Sequence, residues 1–317
     1  MSIEYGGEYK NNCKEEIEKI KTPCYLKIKH KLSLLFFDFE DISYNDFWSM
    51  VDNPNKKLPQ KKFVITDKFD YRLPIYEIDH NPFTPELNKI INEKYHLIEK
   101  YVRTQKDIKD FIINYVNTKT PKTVILYLID GLSYWDYINA EINYSAEPIF
   151  VNGKTTTENG LKNIVYGKND IPIAKELYKF GYKGYGQTYW NRKNKLTDIL
   201  FRYISEKNIF YYDEDIYNII TENKLLKKYI QIYKIGLDDD AHKLREVSKK
   251  SIINRIKEIF ENVNILIDHL NKTDQSYLIV ITADHGIKWD FTKKYKKGSH
   301  GNISFEECFV PLIIIEG

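Results

Sequence analysis

Two continuous apolar runs constrain this chain more than any other feature. Residues 124–129 lead into Asp130-Gly131, and residues 277–282 lead into Ala283-Asp284-His285-Gly286. A strand with one wet face alternates apolar and polar residues. A run without alternation predicts a strand buried on both faces, as in parallel sheets covered by helices. Residues 183–189, 229–235 and 310–315 read as further strands. Between them Ile252, Ile256, Phe260, Val263, Ile267 and Leu270 mark a long amphipathic helix. The expected fold class is α/β, a mostly parallel sheet flanked by helices on both faces.

The rhythm differs upstream of a junction at residues 119–122, which contains Pro121. Thr84-Pro85-Glu86 has a helix-start pattern, with Thr as N-cap, Pro at the first helical position and an acid in the first turn. Leu87, Ile90, Ile91 and Leu97 continue at helical spacing, and Ile108, Phe111 and Ile112 mark a second helix. Residues 1–118 are expected to form a mainly helical accessory region, and 119–317 the sheet-bearing catalytic domain.

Composition narrows the function classes. A net charge of +3 over 317 residues gives no warrant for a nucleic-acid-binding surface. Lys293, Lys294, Lys296 and Lys297 form a local basic cluster, read first as a solvated loop and second as a contact for a polyanion. Cys13, Cys24 and Cys308 have no CxxC spacing, which argues against a disulfide framework and a thiolate zinc site. The polar residues 1–21 lack a signal-peptide core, and the apolar run at 32–39 is too short to cross a bilayer. A cytoplasmic location without a membrane partner is expected.

In open α/β sheets, ligands bind beyond the carboxyl ends of the strands. Asp130, Asp284 and His285 fall there. So does Asp238-Asp239-Asp240-Ala241-His242, where one helical turn would put Asp238 and His242 on the same side. His300 follows in Gly298-Ser299-His300-Gly301. Each element alone has a plainer reading: an Asp-Gly turn, an acidic turn, a loop histidine. Together they make three carboxylates and three imidazoles at strand ends. Oxygen and nitrogen donors without thiolate suit Zn²⁺, with Mn²⁺ or Mg²⁺ as competitors, and six ligands divide between two ions. Asp79-His80 and Asp268-His269 read as structural pairs, and His30 and His96 carry no assigned role.

A nucleophile candidate lies in Thr155-Thr156-Thr157-Glu158. Thr155 with Glu158 three residues on is a capping-box pattern, so a helix should begin here. A threonine at a helix N-terminus also sits where the macrodipole favours an alkoxide or a phosphate.

The ordered set resembles the alkaline phosphatase superfamily. It has an apolar strand ending in Asp130, a Thr-x-Thr with Gly167 ten residues after its second Thr, Asp-x-x-x-His, Asp-His-Gly and His-Gly, all within residues 120–317. The Thr-x-Thr block and the Asp-x-x-x-His are similar to the nucleotide pyrophosphatase/phosphodiesterase branch. The short step from Asp284-His285-Gly286 to His300-Gly301, then Ser304, Glu306, Val310 and Pro311, looks like the PglZ domain, a cytoplasmic family of phage-defence loci and signalling proteins.

The resemblance implies that Asp238, His242 and His300 hold one ion, and that Asp130, Asp284 and His285 hold the other. It places the nucleophile at Thr157, with Thr155 or Thr156 if the register slips. The implied activity is two-metal phosphohydrolysis, most simply a phosphodiesterase on a nucleotide or oligonucleotide. The alternatives are a phosphomonoesterase or phosphomutase, and a regulatory or scaffolding subunit with protein partners in a defence or signalling complex. No Cys/Ser-x-Pro-x-Arg is present, which argues against a sulfatase. The asparagine with which phosphodiesterase relatives hold a phosphate oxygen has no match; Asn159, Asn163 and Asn302 are candidates.

Overall fold

The apolar runs become the centre of a sheet. The computed structural model describes residues 25–28, 30–37, 40–41, 62–65, 75–78, 81–190, 194–222, 224–242 and 246–317. The chain divides into two compact units, residues 1–101 and 102–317. The boundary thus falls before 118/119, because Ile108, Ile112 and Val116 belong to the second unit's apolar core.

In the first unit, β1 (Tyr25–Ile28), β2 (Glu40–Asp41), β3 (Lys62–Ile65) and β4 (Ile75–Ile78) form a parallel sheet in the order β2-β3-β1-β4. Helices α1 (Leu34–Phe37) and α2 (Leu87–Tyr101) accompany it. Helix outweighs strand among the described residues before 119, as expected, but the four-stranded sheet was not foreseen. Strands of two to four residues are too short to leave a readable period. The Thr84 hydroxyl donates to Glu86 Oε2 (2.6 Å) instead of capping, and the helix starts at Leu87. Asp79-His80 lies outside the described residues.

The second unit runs α3 (Asp107–Lys119), β5 (Thr123–Ile129), α4 (Tyr134–Asn139), β6 (Glu147–Phe150), α5 (Thr157–Tyr166), α6 (Ile173–Lys179), β7 (Tyr182–Thr188), α7 (Lys195–Leu200), β8 (Ile209–Phe210) and α8 (Asp213–Thr221). It continues through β9 (Lys227–Lys234), α9 (Asp238–His242), α10 (Lys249–Asn271), β10 (Tyr277–Ala283), β11 (Lys288–Trp289), β12 (Gly298–Ser299), α11 (Phe305–Cys308) and β13 (Phe309–Glu316). Seven strands form the main sheet in the order β6-β13-β10-β5-β9-β7-β8. Strand β13 is antiparallel to both neighbours; the other pairings are parallel.

Every residue of β5 and β10 is buried, so helices cover both faces, as the unalternating runs predict. Register places the chemistry. Ala283 pairs with Ile129, so Asp284 and Asp130 leave the sheet side by side. Lys234 of β9 also pairs with Ile129, which brings the turn into α9 to the same edge.

Close backbone approaches bind the site to this edge. A Cβ on Gly160 of α5 would stand 1.9 Å from the Asp284 carbonyl oxygen, and one on Gly236 would stand 1.8 Å from that of Asp130. Only glycine permits such contacts. No helix among the described residues is long and apolar enough to cross a membrane.

Candidate metal centre

The six ligand-type side chains gather into two groups, Asp238 with His242 and His300, and Asp130 with Asp284 and His285. In each group one donor atom from every residue lies within 4.8 Å of the others. This is the division that the resemblance implied.

In the first group α9 sets the spacing. His242 Nε2 lies 3.3 Å from Asp238 Oδ1, the i, i+4 contact expected of one helical turn. His300 arrives from the loop after β12, its Nε2 at 3.1 Å from Asp238 Oδ1 and 3.0 Å from His242 Nε2. Tetrahedral zinc, with bonds of about 2.0–2.1 Å, keeps its ligand atoms about 3.3 Å apart. The triad fits that spacing, and its donor set is one that zinc accepts.

The second group is deeper. Asp284 and His285 are fully buried and Asp130 nearly so. Asp284 Oδ1 accepts the backbone N–H of Gly131 and of His285, each at 3.0 Å, which locks the carboxylate across the β5–β10 edge. Asp130 Oδ1 is buried with no hydrogen-bond partner among the described residues, an orphan that a cation would satisfy. His285 Nδ1 faces the Gly286 carbonyl at 3.0 Å; a carbonyl only accepts, so Nδ1 carries the proton. Nε2 is left as an acceptor, 3.6 Å from Asp284 Oδ2 and 3.2 Å from the Thr157 hydroxyl.

The electrostatics describe a centre short of positive charge. Burial, then the charges of Asp284 and Asp238, push the Asp130 carboxyl well above its ordinary range. Burial also pushes Asp238 up, but the hydrogen bond from His300 and the nearby imidazoles outweigh it and hold Asp238 low. His300 is raised to about 9, chiefly by its hydrogen bond to Asp238.

The three threonines separate cleanly. Thr157 opens α5, and its Oγ1 lies 3.2 Å from His285 Nε2. Thr156 is the N-cap, without a side-chain capping bond. Thr155 makes no capping box: it is fully buried, and its hydroxyl faces Glu307 Oε2 at 2.9 Å and the Asn302 carbonyl at 2.8 Å. Thr157 alone of the three is placed beside the ligands through its hydroxyl.

Other sequence candidates find structural work. His269 stacks on Tyr217 and contacts the Ile265 carbonyl within its own helix. Asn159 Nδ2 donates to the Asn152 and Lys154 carbonyls, and buried Asn163 donates to Gln105 and Asn152. Lys297 donates to the Val247 carbonyl, and Lys293 pairs with Asp290.

Sequence reasoning missed several supports. The Tyr233 hydroxyl donates to Asp284 Oδ2 (3.0 Å) and the Tyr189 hydroxyl to Asp130 Oδ2 (2.7 Å). Gln105 Nε2 donates to the Ala283 and Asp284 carbonyls at 2.9 and 2.8 Å. Tyr189 and Tyr233 lie at the carboxyl ends of β7 and β9, so the strand-end rule applies to them too. They also wall a cavity of about 320 Å³ that includes Tyr127, Gln187, Tyr211 and Arg255.

No family model and no curated protein matches this sequence. Solved structures do resemble it. The C-terminal periplasmic domain of the phosphoethanolamine transferase EptC from Campylobacter jejuni is 10% identical, over 62% of this chain and 80% of that one, with a TM-score of 0.44. A protein described as in the alkaline phosphatase superfamily, from Vibrio parahaemolyticus, is 14% identical over 62% and 60%, with a TM-score of 0.44. Murine ectonucleotide pyrophosphatase/phosphodiesterase 5 is 17% identical over 53% and 58%, with a TM-score of 0.35. At these scores the likenesses carry no functional weight.

Proposed function

We propose that this chain is a two-metal phosphohydrolase of the alkaline phosphatase kind, with Thr157 as nucleophile and a nucleotide or oligonucleotide diester as substrate. The carrying observation is the placement of Thr157 Oγ1, 3.2 Å from His285 Nε2 and at the N-terminus of α5, beside two three-residue ligand groups.

Asp238, His242 and His300 would hold one ion, and Asp130, Asp284 and His285 the other. Bound divalent ions, with zinc the best fit, supply positive charge that eases deprotonation of a hydroxyl and offsets charge on phosphoryl oxygens. The protein supplies position. Helix α5 aims the Thr157 hydroxyl, its N-terminal dipole favours the anionic oxygen, and Gly160 lets the helix lie against Asp284. Thr157 gives its proton to solvent as its oxygen attacks phosphorus in line, the bond to the leaving oxygen breaks, and the departing alkoxide takes up a proton from solvent. Water then attacks phosphorus in the resulting Thr157 diester, the bond to Thr157 Oγ1 breaks, Oγ1 takes up a proton from that water, and the phosphomonoester product leaves. The cavity of about 320 Å³ lined by Tyr189, Tyr211 and Tyr212 leaves room for a base next to the Asp130 group, which supports a nucleotide over a bare phosphate group.

Against a purely scaffolding role stand six ligand-type side chains and a placed hydroxyl, all costly to keep together without use. A cytoplasmic setting belongs to this proposal. The test uses the full chain loaded with zinc or manganese, on bis-p-nitrophenyl phosphate and p-nitrophenyl phosphate. Faster diester turnover, lost in Thr157→Ala and retained in Thr156→Ala, is the expected result. Preferred monoester turnover would move the assignment to a phosphomonoesterase, and full activity in Thr157→Ala would overturn the nucleophile.

A further inference from the structure

Glu307 is a buried carboxylate with no part in the ligand groups. It is fully inaccessible to solvent, and its Oε1 has no hydrogen-bond partner among the described residues. Burying an acid is unfavourable unless it is well used, so its bonds need an account.

Its Oε2 accepts the backbone N–H of Asn302 at 2.7 Å and faces the Thr155 hydroxyl at 2.9 Å. The same hydroxyl accepts the N–H of Gly301 at 2.9 Å. Two consecutive amides after His300 are therefore held, one by Glu307 directly and one through Thr155. The Thr155 carbonyl faces His300 Nδ1 at 3.1 Å. A carbonyl only accepts, so Nδ1–H donates to it, and the ring is turned with Nε2 toward Asp238 and His242. The Glu307 backbone carbonyl also accepts the N–H of Gly286, next to His285 (3.0 Å). The Glu307 N–H is itself held by Ser304.

We propose that Glu307 is a positioning residue, acting through Thr155 to set the ring orientation of His300 and so complete the Asp238–His242–His300 cation site. The inference rests on the two-metal reading for its ligand. It goes beyond that reading in giving buried Thr155 and Glu307 a shared role, in which their side chains hold the loop that carries His300.

Selectivity between the two sites is what a general structural role would not produce. Glu307→Leu and Thr155→Val remove the side-chain bonds that hold the Gly301 and Asn302 amides, and with them the loop that carries His300. They leave Asp130, Asp284, His285 and the Glu307 carbonyl in place. Glu307→Gln keeps an oxygen where Oε2 stands, and Thr155→Ser keeps the hydroxyl.

The experiment is calorimetric titration of the metal-stripped full chain with Zn²⁺ alone. Wild type should take two ions. In Glu307→Leu and Thr155→Val one ion should bind about 10–100-fold more weakly while the other is unchanged. Glu307→Gln and Thr155→Ser should stay within about tenfold of wild type. Unchanged affinity at both sites overturns the inference, and so does equal weakening at both. If Glu307→Leu does not fold, Thr155→Val carries the test.

A wild type that takes fewer than two ions defeats the two-metal reading instead. Amide exchange in the metal-free chain then decides the inference. Gly301 should exchange at least about tenfold faster in Thr155→Val, and near the wild-type rate in Thr155→Ser, because a lost hydrogen bond opens the amide. Equal rates in all three proteins overturn it.

Discussion

The Tyr189 hydroxyl donates a 2.7 Å hydrogen bond to Asp130 Oδ2, so one oxygen of this buried carboxylate is held while Oδ1 has no partner among the described residues. The phenol comes from the end of β7, two strands away from β5 in the sheet. It ties up Oδ2 and leaves Oδ1 as the oxygen open to a cation. Tyr189→Phe keeps the ring and removes the bond. Zinc affinity at the Asp130 group is expected to fall about tenfold, read by titration calorimetry. Unchanged affinity would show that the orientation of Asp130 is set elsewhere.

Asp130 is also a carboxylate whose charge the metal-free fold disfavours. Burial, with Asp284 and Asp238 close by, disfavours its ionised form. Asp130→Asn is expected to stabilise the metal-stripped chain by about 1–3 kcal/mol and to abolish the rise in Tm that zinc gives the wild type. Urea titrations with a chelator, and melting with added zinc, check the two halves separately. A variant less stable than wild type without metal contradicts the first half.

Gly160 tests the close approach of α5. Its added Cβ would meet the Asp284 carbonyl carbon at 2.5 Å as well as the oxygen. These are backbone atoms of a central strand end, which cannot swing aside. Gly160→Ala is expected to destabilise by more than about 2 kcal/mol, despite alanine's better helix propensity, and to reduce turnover by moving Thr157. A neutral or stabilising effect in urea unfolding would mean the helix is free to shift.

Asp136 provides a pH signature away from the ligands. It caps α4 with Ser133 and accepts the Trp289 Nε1 proton at 2.9 Å, yet burial raises its carboxyl to about 6 from 3.8. A folded-state value above the unfolded one means the contribution is full below the unfolded value and is lost as pH rises through about 6. Asp136→Asn cannot titrate. The wild-type stability relative to this variant should therefore fall by about 3 kcal/mol between pH 3.8 and neutrality. Denaturant midpoints of both proteins across that range are the measurement, and a constant difference would refute it.

Much of the candidate site was legible because its ligands follow local rules. Asp130 and Asp284 end strands whose unbroken apolar character marked them as central. Asp238 and His242 are spaced by one helical turn, as α9 bears out. The first unit's strands were not legible, being too short to show a period. The Thr84 and Thr155 caps failed for a shared reason: each hydroxyl found a better partner than its helix, Glu86 in one case and Glu307 in the other. Tyr189 and Tyr233 were overlooked because a tyrosine at a strand end reads as core until its hydroxyl is seen to have a carboxylate.

By itself, the sequence determined which strands lie at the centre, which side chains can ligate a metal, and where along the chain they fall. Those properties depend on residue type and on periods of two or 3.6 residues, which short-range backbone geometry imposes. Only the tertiary structure decided that the hydroxyl of Thr157 faces His285 while that of Thr155 faces Glu307, that β13 runs against its neighbours, and that His300 turns Nε2 inward. Thr155 and Glu307 are 152 residues apart, and no local pattern records which distant acceptor will meet a hydroxyl once the sheet has closed. Packing makes that choice, because a buried polar group takes whatever partner the folded chain brings within reach.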